Sequence, residues 1–440
     1  MNTELKPGYK QTEVGVIPVD WEVKTVGEIS EVKTGPFGSA LHEKDYVADG
    51  TPIITVEHLG ERGIYHSNLP MVSDADRARL KAYSIRNGDL VFSRVGSVDR
   101  NALVRPEEDG WLFSGRLLRV RLKSKDIDSH YLSFHFHSES FKQRVKDVAV
   151  GQTMASINTK ILMGISAIIP PTKAEQEAIA EALCDTDALI ESLEQLIAKK
   201  RHIKQGTMQE LLTGKNRLPG FQNQKGFRRC ELGLIPDDWH CRQLPSLTAQ
   251  GAGSIKIGPF GSALKKEYLT KDGFKVYGQE NVYENNMDIG ERFINYEHYR
   301  KLRSCEIKTG DFLISMMGTV GKCMIVPTGI KDGIMDSHLL RLRLDSGKLN
   351  PSFLAQLFET KIVFDQVKQL SVGGIMEGLS SKIIKSLNLP VPSIEEQISI
   401  AEALSDMDAE IAALETRLAK TRSLKQGMMH NLLTGRIRLP

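Results

Sequence analysis

The chain carries one ordered set of landmarks twice, about 220 residues apart, and any fold it adopts has to accommodate that duplication. Gly15-Val16-Ile17-Pro18-Val19-Asp20-Trp21 returns as Gly233-Leu234-Ile235-Pro236-Asp237-Asp238-Trp239, and the run GPFGSAL occurs at residues 35–41 and 258–264. Gly88-Asp89-Leu90-Val91-Phe92-Ser93 corresponds to Gly310-Asp311-Phe312-Leu313-Ile314-Ser315, and residues 116–122 (RLLRVRL) correspond to residues 338–344 (HLLRLRL). A period this long lies far outside solenoid repeats, so the chain is a duplicated module and not a repeat array. Alternation of apolar and charged residues in the last pair predicts a half-buried strand in each copy.

Each copy ends in its best-kept segment: residues 172–214 and 393–435 align without a gap and are identical at 24 of 43 positions. Thr172 with Glu175, and Ser393 with Glu396, form S/T-x-x-E capping boxes directly after prolines, which marks two helix starts. Apolar residues then follow a four-three rhythm, Ile179, Leu183, Ile190, Leu193 and Ile197 in one copy, Ile400, Leu404, Met407, Ile411, Leu414 and Leu418 in the other. Thr186 interrupts the first stripe. Such a seam predicts a coiled coil in which each helix pairs with its own duplicate. Gly214 and Gly435 supply C-terminal stops. Roughly 40 helical residues give a rod of about 60 Å, and antiparallel pairing would create a pseudo-twofold axis with one globular domain at each end.

The globular halves, residues 1–171 and 228–392, combine strands at 52–56, 89–95 and 116–122 with a helix expected from 129 to about 148. They read as α/β domains. The polar residues 215–227 suit a linker, and 436–440 a short tail. Outside the landmarks the halves have drifted apart, so duplication kept the scaffold and changed what it carries.

Composition narrows the function classes. With 40% hydrophobic and 26% charged residues the chain is an ordinary folded protein, and it has no run of about 18 apolar residues to cross a membrane. The opening residues, MNTELKPGYK, lack a secretory apolar run, so a cytoplasmic protein is expected. Five cysteines without C-x-x-C spacing suggest neither a disulfide framework nor a zinc site. The net charge of +3 is too small to argue for nucleic acid by itself.

Catalytic signatures are weak throughout. Asn350-Pro351-Ser352-Phe353 imitates the N-P-P-F box of amino-methyltransferases but lacks its second proline; like Asp128-Ser129-His130-Tyr131 in the first half, it fits a helix N-cap better. Gly318-Thr319-Val320-Gly321-Lys322 and Gly214-Lys215 lack phosphate-loop spacing. Pro236-Asp237 and Glu22-Val23-Lys24 evoke a nuclease's acidic set but lie beside Trp239 and Trp21, where a folding role suffices. His135 and His137, two apart on a helix, do not share a face for a metal. GPFGSAL could cradle a phosphate through backbone amides, but a Gly-Pro-rich structural turn is the favoured reading.

Taken together, the paired G-x-I-P-x-D-W openings, E-Q-x-x-I-A-E-A-L helices and K-Q-G-M-x-x-x-L-L-T-G endings, with Thr207 standing where the second copy has Met428, resemble the specificity subunits of type I restriction-modification systems over essentially the whole chain. The resemblance implies two α/β target-recognition domains separated by two long antiparallel coiled-coil helices, each domain reading half of a split DNA site. It implies double-stranded DNA, two methyltransferase subunits and restriction subunits as partners. S-adenosylmethionine, ATP and Mg would then sit on those partners, with no cofactor, metal or catalytic residue on this chain. Scaffold and docking positions would be Glu175, Gln176, Lys204, Gln205, Gly206, Leu211 and Leu212, and their counterparts Glu396, Gln397, Lys425, Gln426, Gly427, Leu432 and Leu433. Polar residues flanking the repeated strands are the DNA-contacting candidates: Arg94, Ser97, Arg100 and Asn101, then Gln279, Asn281, Thr319 and Lys322. The competing reading is a coiled-coil scaffold that binds no DNA, with an autonomous nuclease or methyltransferase third.

Overall fold

The computed structural model describes residues 7–36, 41–151, 155–222, 226–317, 321–371 and 379–439. Two compact units emerge, Met1–Gln195 with Glu415–Pro440, and Leu196–Leu414. Each therefore takes one globular half together with stretches of both long helices, which run Lys173–Leu211 and Ile394–Leu432, 39 residues apiece.

In the first unit an antiparallel sheet has the order Asn101–Leu103, Leu90–Ser93, Leu117–Leu122, Ser30–Thr34. A second sheet has the order Leu112–Phe113, Thr51–Ile54, Met71–Val72, Tyr46–Val47, with its first two strands parallel. The second unit repeats both: Cys323–Ile325, Phe312–Ser315, Leu339–Leu342, Ile255–Ile257, and Gly333–Met335, Phe274–Tyr277, Phe293–Ile294, Leu269–Thr270. The G-x-I-P landmarks are the second strands of hairpins, Gly15–Pro18 and Gly233–Pro236.

The expected half-buried strand at 116–122 is covered on both faces. Leu118 and Val120 join Trp21, Phe92 and Tyr131 in one core, while Leu117 joins Ile54, Val91 and Phe113 in another. Arg119 thus lies inside and Arg121 is partly covered, and a guanidinium taken from water must be paired. Arg119 donates to the Ser84 carbonyl at 3.0 Å, and Arg121 grips Asp89 with bonds of 2.8 and 2.6 Å. In the second unit Arg341 donates to the Gly253 carbonyl at 2.9 Å and Arg343 to Asp311 at 3.1 Å. The recurrent Gly-Asp pair is explained by the same bonds: Asp89 also accepts from the Arg86 amide, and Asp311 from the Lys308 amide.

The helix expected from 129 to about 148 is two helices, Ser129–His137 and Glu139–Val148, broken at Ser138, whose backbone is extended and whose hydroxyl caps the second by accepting from the Phe141 amide. His135 faces the core, accepts from the Ile168 amide at 3.2 Å, and burial pushes its pKa down to about 3, so it stays neutral. Asp128 and Asn350 are N-caps, accepting from Tyr131 and Phe353 amides at 2.8 and 3.0 Å. Gln176 and Gln397 lock these caps onto the long helices by accepting from the amides of Asp128 and Asn350, at 2.8 Å in both cases.

Within each unit the two long helices run antiparallel. In the first, Lys425 meets Asp187 at 2.7 Å, Arg422 meets Glu194 at 2.6 Å, and Thr186, the interruption in the stripe, donates to the Ala182 carbonyl and to Met428 Sδ. In the second, Lys204 meets Asp408 and Lys200 meets Glu410, each at 2.7 Å. Lys425–Asp187 and Lys204–Asp408 join the same two repeat positions, so each unit makes the same cross-helix ion pair. Leu432 and Leu433 are buried with Trp21, Ile179 and Leu183; Leu211 and Leu212 are buried with Trp239, Ile400 and Leu404.

The capping boxes are only half formed. Thr172 and Ser393 accept from the amides of Glu175 and Glu396, but those carboxylates turn instead to arginines. Glu175 binds Arg438, which also grips Asp20 at 3.0 Å; Glu396 binds Arg217, which also grips Asp238 at 2.8 Å. Arg217 and Arg438 belong to a repeated Arg-Leu-Pro at 217–219 and 438–440, a sequence signal of the duplicated clasp. Gly214 and Gly435, both at positive φ, press against Pro236 with Trp239 and against Pro18 with Trp21, leaving no room for a Cβ.

Candidate nucleic-acid interface

In the first unit a cleft of about 890 Å³ is lined by Thr55, Glu57, Arg94, Arg100, Ser114 and Arg116, with Pro36 and Leu41 beside them. Two turns build its walls. One follows the strand Thr51–Ile54 and is braced by buried His58, whose Nδ1 accepts from the Thr55 amide at 3.0 Å. The other, 114–116, is held by backbone bonds: Ser114 N to Ile54 O at 2.9 Å, Arg94 N to Arg116 O at 2.8 Å, and Leu117 N to Ser114 O at 3.0 Å.

The second unit rebuilds this frame bond for bond. Asp336 N donates to Tyr277 O at 2.8 Å, Met316 N to His338 O at 2.9 Å, and Leu339 N to Asp336 O at 3.3 Å. Asn281 takes the place of His58, its Oδ1 accepting from the Gly278 amide at 2.9 Å. Arg94, Arg100, Ser114 and Arg116 therefore correspond to Met316, Lys322, Asp336 and His338. Side-chain chemistry differs sharply over the shared frame. The first cleft gathers three guanidiniums, whereas in the second unit Arg292 spans Glu280 at 2.6 Å and Asp336 at 3.0 Å.

The glycine that opens GPFGSAL has a packing reason in both copies, because a Cβ on Gly35 or Gly258 would strike the backbone of Ser114 or Asp336. Residues 37–40 lie outside the described residues.

The sequence candidates divide. Arg94 and Arg100 line the first cleft, Ser97 is exposed on the turn between them, and Lys322 is exposed at the position matching Arg100. Asn101 is corrected: it is 1% exposed, with its Nδ2 directed at the Phe136 and Asp99 carbonyls. Asn281 is corrected in the same way, since it is buried and donates to the carbonyls of Asn286 and Ile289. Both side-chain amide nitrogens are turned to backbone carbonyls of the fold and away from solvent. Gln279 is half-buried beside that brace, and Thr319 lies outside the described residues. Glu57, Ser114 and Arg116, and their counterparts Glu280, Asp336 and His338, were missed. The landmark 116–122 opens on Arg116 in one copy and His338 in the other, so its variable first position was the available signal.

On the helices, Glu175, Gln176, Glu396, Gln397, Leu211, Leu212, Leu432 and Leu433 are buried scaffold. Lys204 and Lys425 are occupied in the cross-helix ion pairs described above. Gln205, Gly206, Gln426 and Gly427 face solvent, next to exposed Ile203 and Leu424. Among the described residues no group of three or more His, Cys, Asp or Glu is placed to hold a metal, and no helix is long and apolar enough to cross a membrane.

A backbone frame repeated in both units, with unlike side chains mounted on it, defines a duplicated recognition module whose two copies present different chemistry. The family model of the type I restriction modification DNA specificity domain matches residues 18–199 and 254–421, and the chain belongs to that family. It is 27% identical to a putative type I restriction enzyme MjaX specificity subunit of Methanocaldococcus jannaschii over 98% of this chain and 97% of that one. To the EcoBI specificity subunit of Escherichia coli it is 22% identical over 99% and 90%. The fold is also that of a crystallised type I restriction-modification S subunit from M. genitalium, with a TM-score of 0.56, 15% identity and coverage of 97% and 99%.

Proposed function

We propose that this chain reads an asymmetric, two-part DNA site, one part per globular half, and holds it for partner subunits that methylate and cleave. The observation that carries the reading is the contrast between an identical backbone frame and unlike cleft residues in a chain of the DNA-specificity family. Phosphate contacts fix register, and groove-edge contacts carry sequence. Unlike clefts on one frame are what two different half-sites require.

Two modification subunits dock on the exposed patches of Ile203, Gln205 and Gly206 and of Leu424, Gln426 and Gly427. Among the described residues a Cβ at either glycine meets nothing within 4 Å, so no packing among them requires glycine there. Glycine inside a helix costs about 1 kcal/mol relative to alanine, and close approach by another chain gives it a purpose. Equal patches on duplicated helices suit two copies of one partner. Methyl transfer, with S-adenosylmethionine, and ATP- and Mg-dependent cleavage belong to the partners; this chain is non-catalytic and works in the cytoplasm.

The test is reconstitution with the modification subunits of the same host, followed by mapping of methylated adenines. A bipartite sequence is expected. Replacing residues 1–171 with the matching domain of a relative should change one half-site only, and a swap that altered both would refute independent reading. Binding should fall steeply with salt as phosphate contacts are screened.

A further inference from the structure

We infer that Arg116 is a base-reading residue of the first half, directed at a guanine, and that His338 occupies the same reading post in the second. The inference rests on the DNA-reading function proposed above and assigns roles within it. It comes from comparing equivalent posts. Arg100 and Lys322 differ in shape but keep the positive charge, which suits a phosphate, since a phosphate asks for charge and little else. Arg116 and His338 differ in shape and donor pattern, while the carbonyl of each accepts the same backbone bond, from Arg94 N and Met316 N. Positions whose chemistry changes on a constant mount are those that separate one half-site from the other.

The mount is also rigid. Gly35 N to Leu117 O at 3.2 Å adds a fourth backbone bond around 114–116, and Gly258 N to Leu339 O at 3.1 Å does the same around 336–338. Arg116 is exposed at the cleft, and among the described residues neither its side chain nor that of Arg100 has a hydrogen-bond or ion-pair partner. Arg94, by contrast, donates to the Gly115 carbonyl at 3.4 Å and helps to hold the turn. A free guanidinium on a fixed turn presents a two-pronged donor, and guanine offers the matching pair of acceptors, O6 and N7, in the major groove. Rigid mounting keeps the ordering cost of that contact low.

The experiment uses the reconstituted methyltransferase with Arg116→Ala, Arg116→Lys and Arg100→Ala, each assayed by selection from DNA randomised across both half-sites. Arg116→Ala should lose discrimination at one guanine of the first half-site by roughly 5- to 150-fold and leave the second half-site unchanged. Arg116→Lys keeps the charge and should recover little of that discrimination, because it cannot offer the fork. Arg100→Ala should weaken binding to all sequences alike and reduce the salt slope by about one. Uniform weakening by Arg116→Ala, or an unchanged guanine preference, would overturn the assignment while the wild-type bipartite preference left the DNA-reading function standing. A wild-type complex with no sequence preference would overturn both. Assembly of each variant with its partners at wild-type stoichiometry excludes misfolding as the cause.

Discussion

Arg217 and Arg438 make the same clasp in the two units, each joining the glutamate of a long-helix start to the aspartate of an x-D-W landmark, yet they make it in different surroundings. The Arg217 side chain is 9% exposed and its Glu396 partner 1%, whereas Arg438 is 40% exposed over a Glu175 that is 5% exposed. Trp239 adds a third bond, its Nε1 donating to Glu396 at 3.1 Å. Among the described residues Trp21 Nε1 is buried without a partner, and Arg438 lies over the Trp21 ring at 5.6 Å. Repeated sequence thus reproduces the bonds of a clasp but not its solvation. Solvation sets the energy, because a buried charge that loses its partner cannot turn to water.

The largest expected effect follows from that difference. Arg217→Ala strands the carboxylate of Glu396 in the interior and should destabilise the second unit by about 3–5 kcal/mol. Arg438→Ala leaves Glu175 nearer to water and should cost the first unit about 1–3 kcal/mol. Urea unfolding read by hydrogen exchange in peptides from each unit measures both. Equal losses, or a larger loss for Arg438→Ala, would break the comparison.

Next in size is the tryptophan pair. Both indoles are fully buried, so replacement by phenylalanine removes similar apolar area from each core. Only Trp239→Phe also removes a hydrogen bond to a carboxylate, a contribution of about 1.5–3 kcal/mol. Trp21→Phe instead deletes an unsatisfied donor, so it should be the milder substitution by about that amount. The same exchange measurement decides, and a harsher Trp21→Phe would mean that its indole N–H is satisfied in solution.

Periodicity and capping are local, so the long helices, their starts and the N-caps at Asp128 and Asn350 were legible from neighbours within a few residues. The glutamate partners of Arg217 and Arg438 lie 179 and 263 residues away in sequence, and no local pattern specifies them. Arg119 and Arg341 misled for a related reason: alternation in a strand announces a wet face unless a second sheet covers it, and that cover is non-local. The candidate site was half legible. Arg94 and Arg100 were reachable as cations flanking a repeated strand, while Asn101 and Asn281, read as surface polars, face inward to close backbone bonds.

The finest comparison concerns the two aspartates. Asp20 is held below its ordinary value near 3.8 chiefly by its hydrogen bonds from Arg438. A carboxylate whose folded pKa is depressed adds stability that is complete above its unfolded pKa and disappears as pH falls through the folded one. Asp20→Asn should therefore cost the first unit a little at neutral pH, and the gap from wild type should close as pH drops below about 3.8. Because Asp20 is well exposed, its side chain 47% accessible, water screens the pair and the loss should be about 0.2–1 kcal/mol. Asp238 faces the better-buried Arg217, so Asp238→Asn should cost the second unit more at pH 7 than Asp20→Asn costs the first. Hydrogen exchange across pH 3–7 reads both gaps, and an Asp20→Asn gap that widened toward acid would mean the carboxylate is not held in its charged form by Arg438.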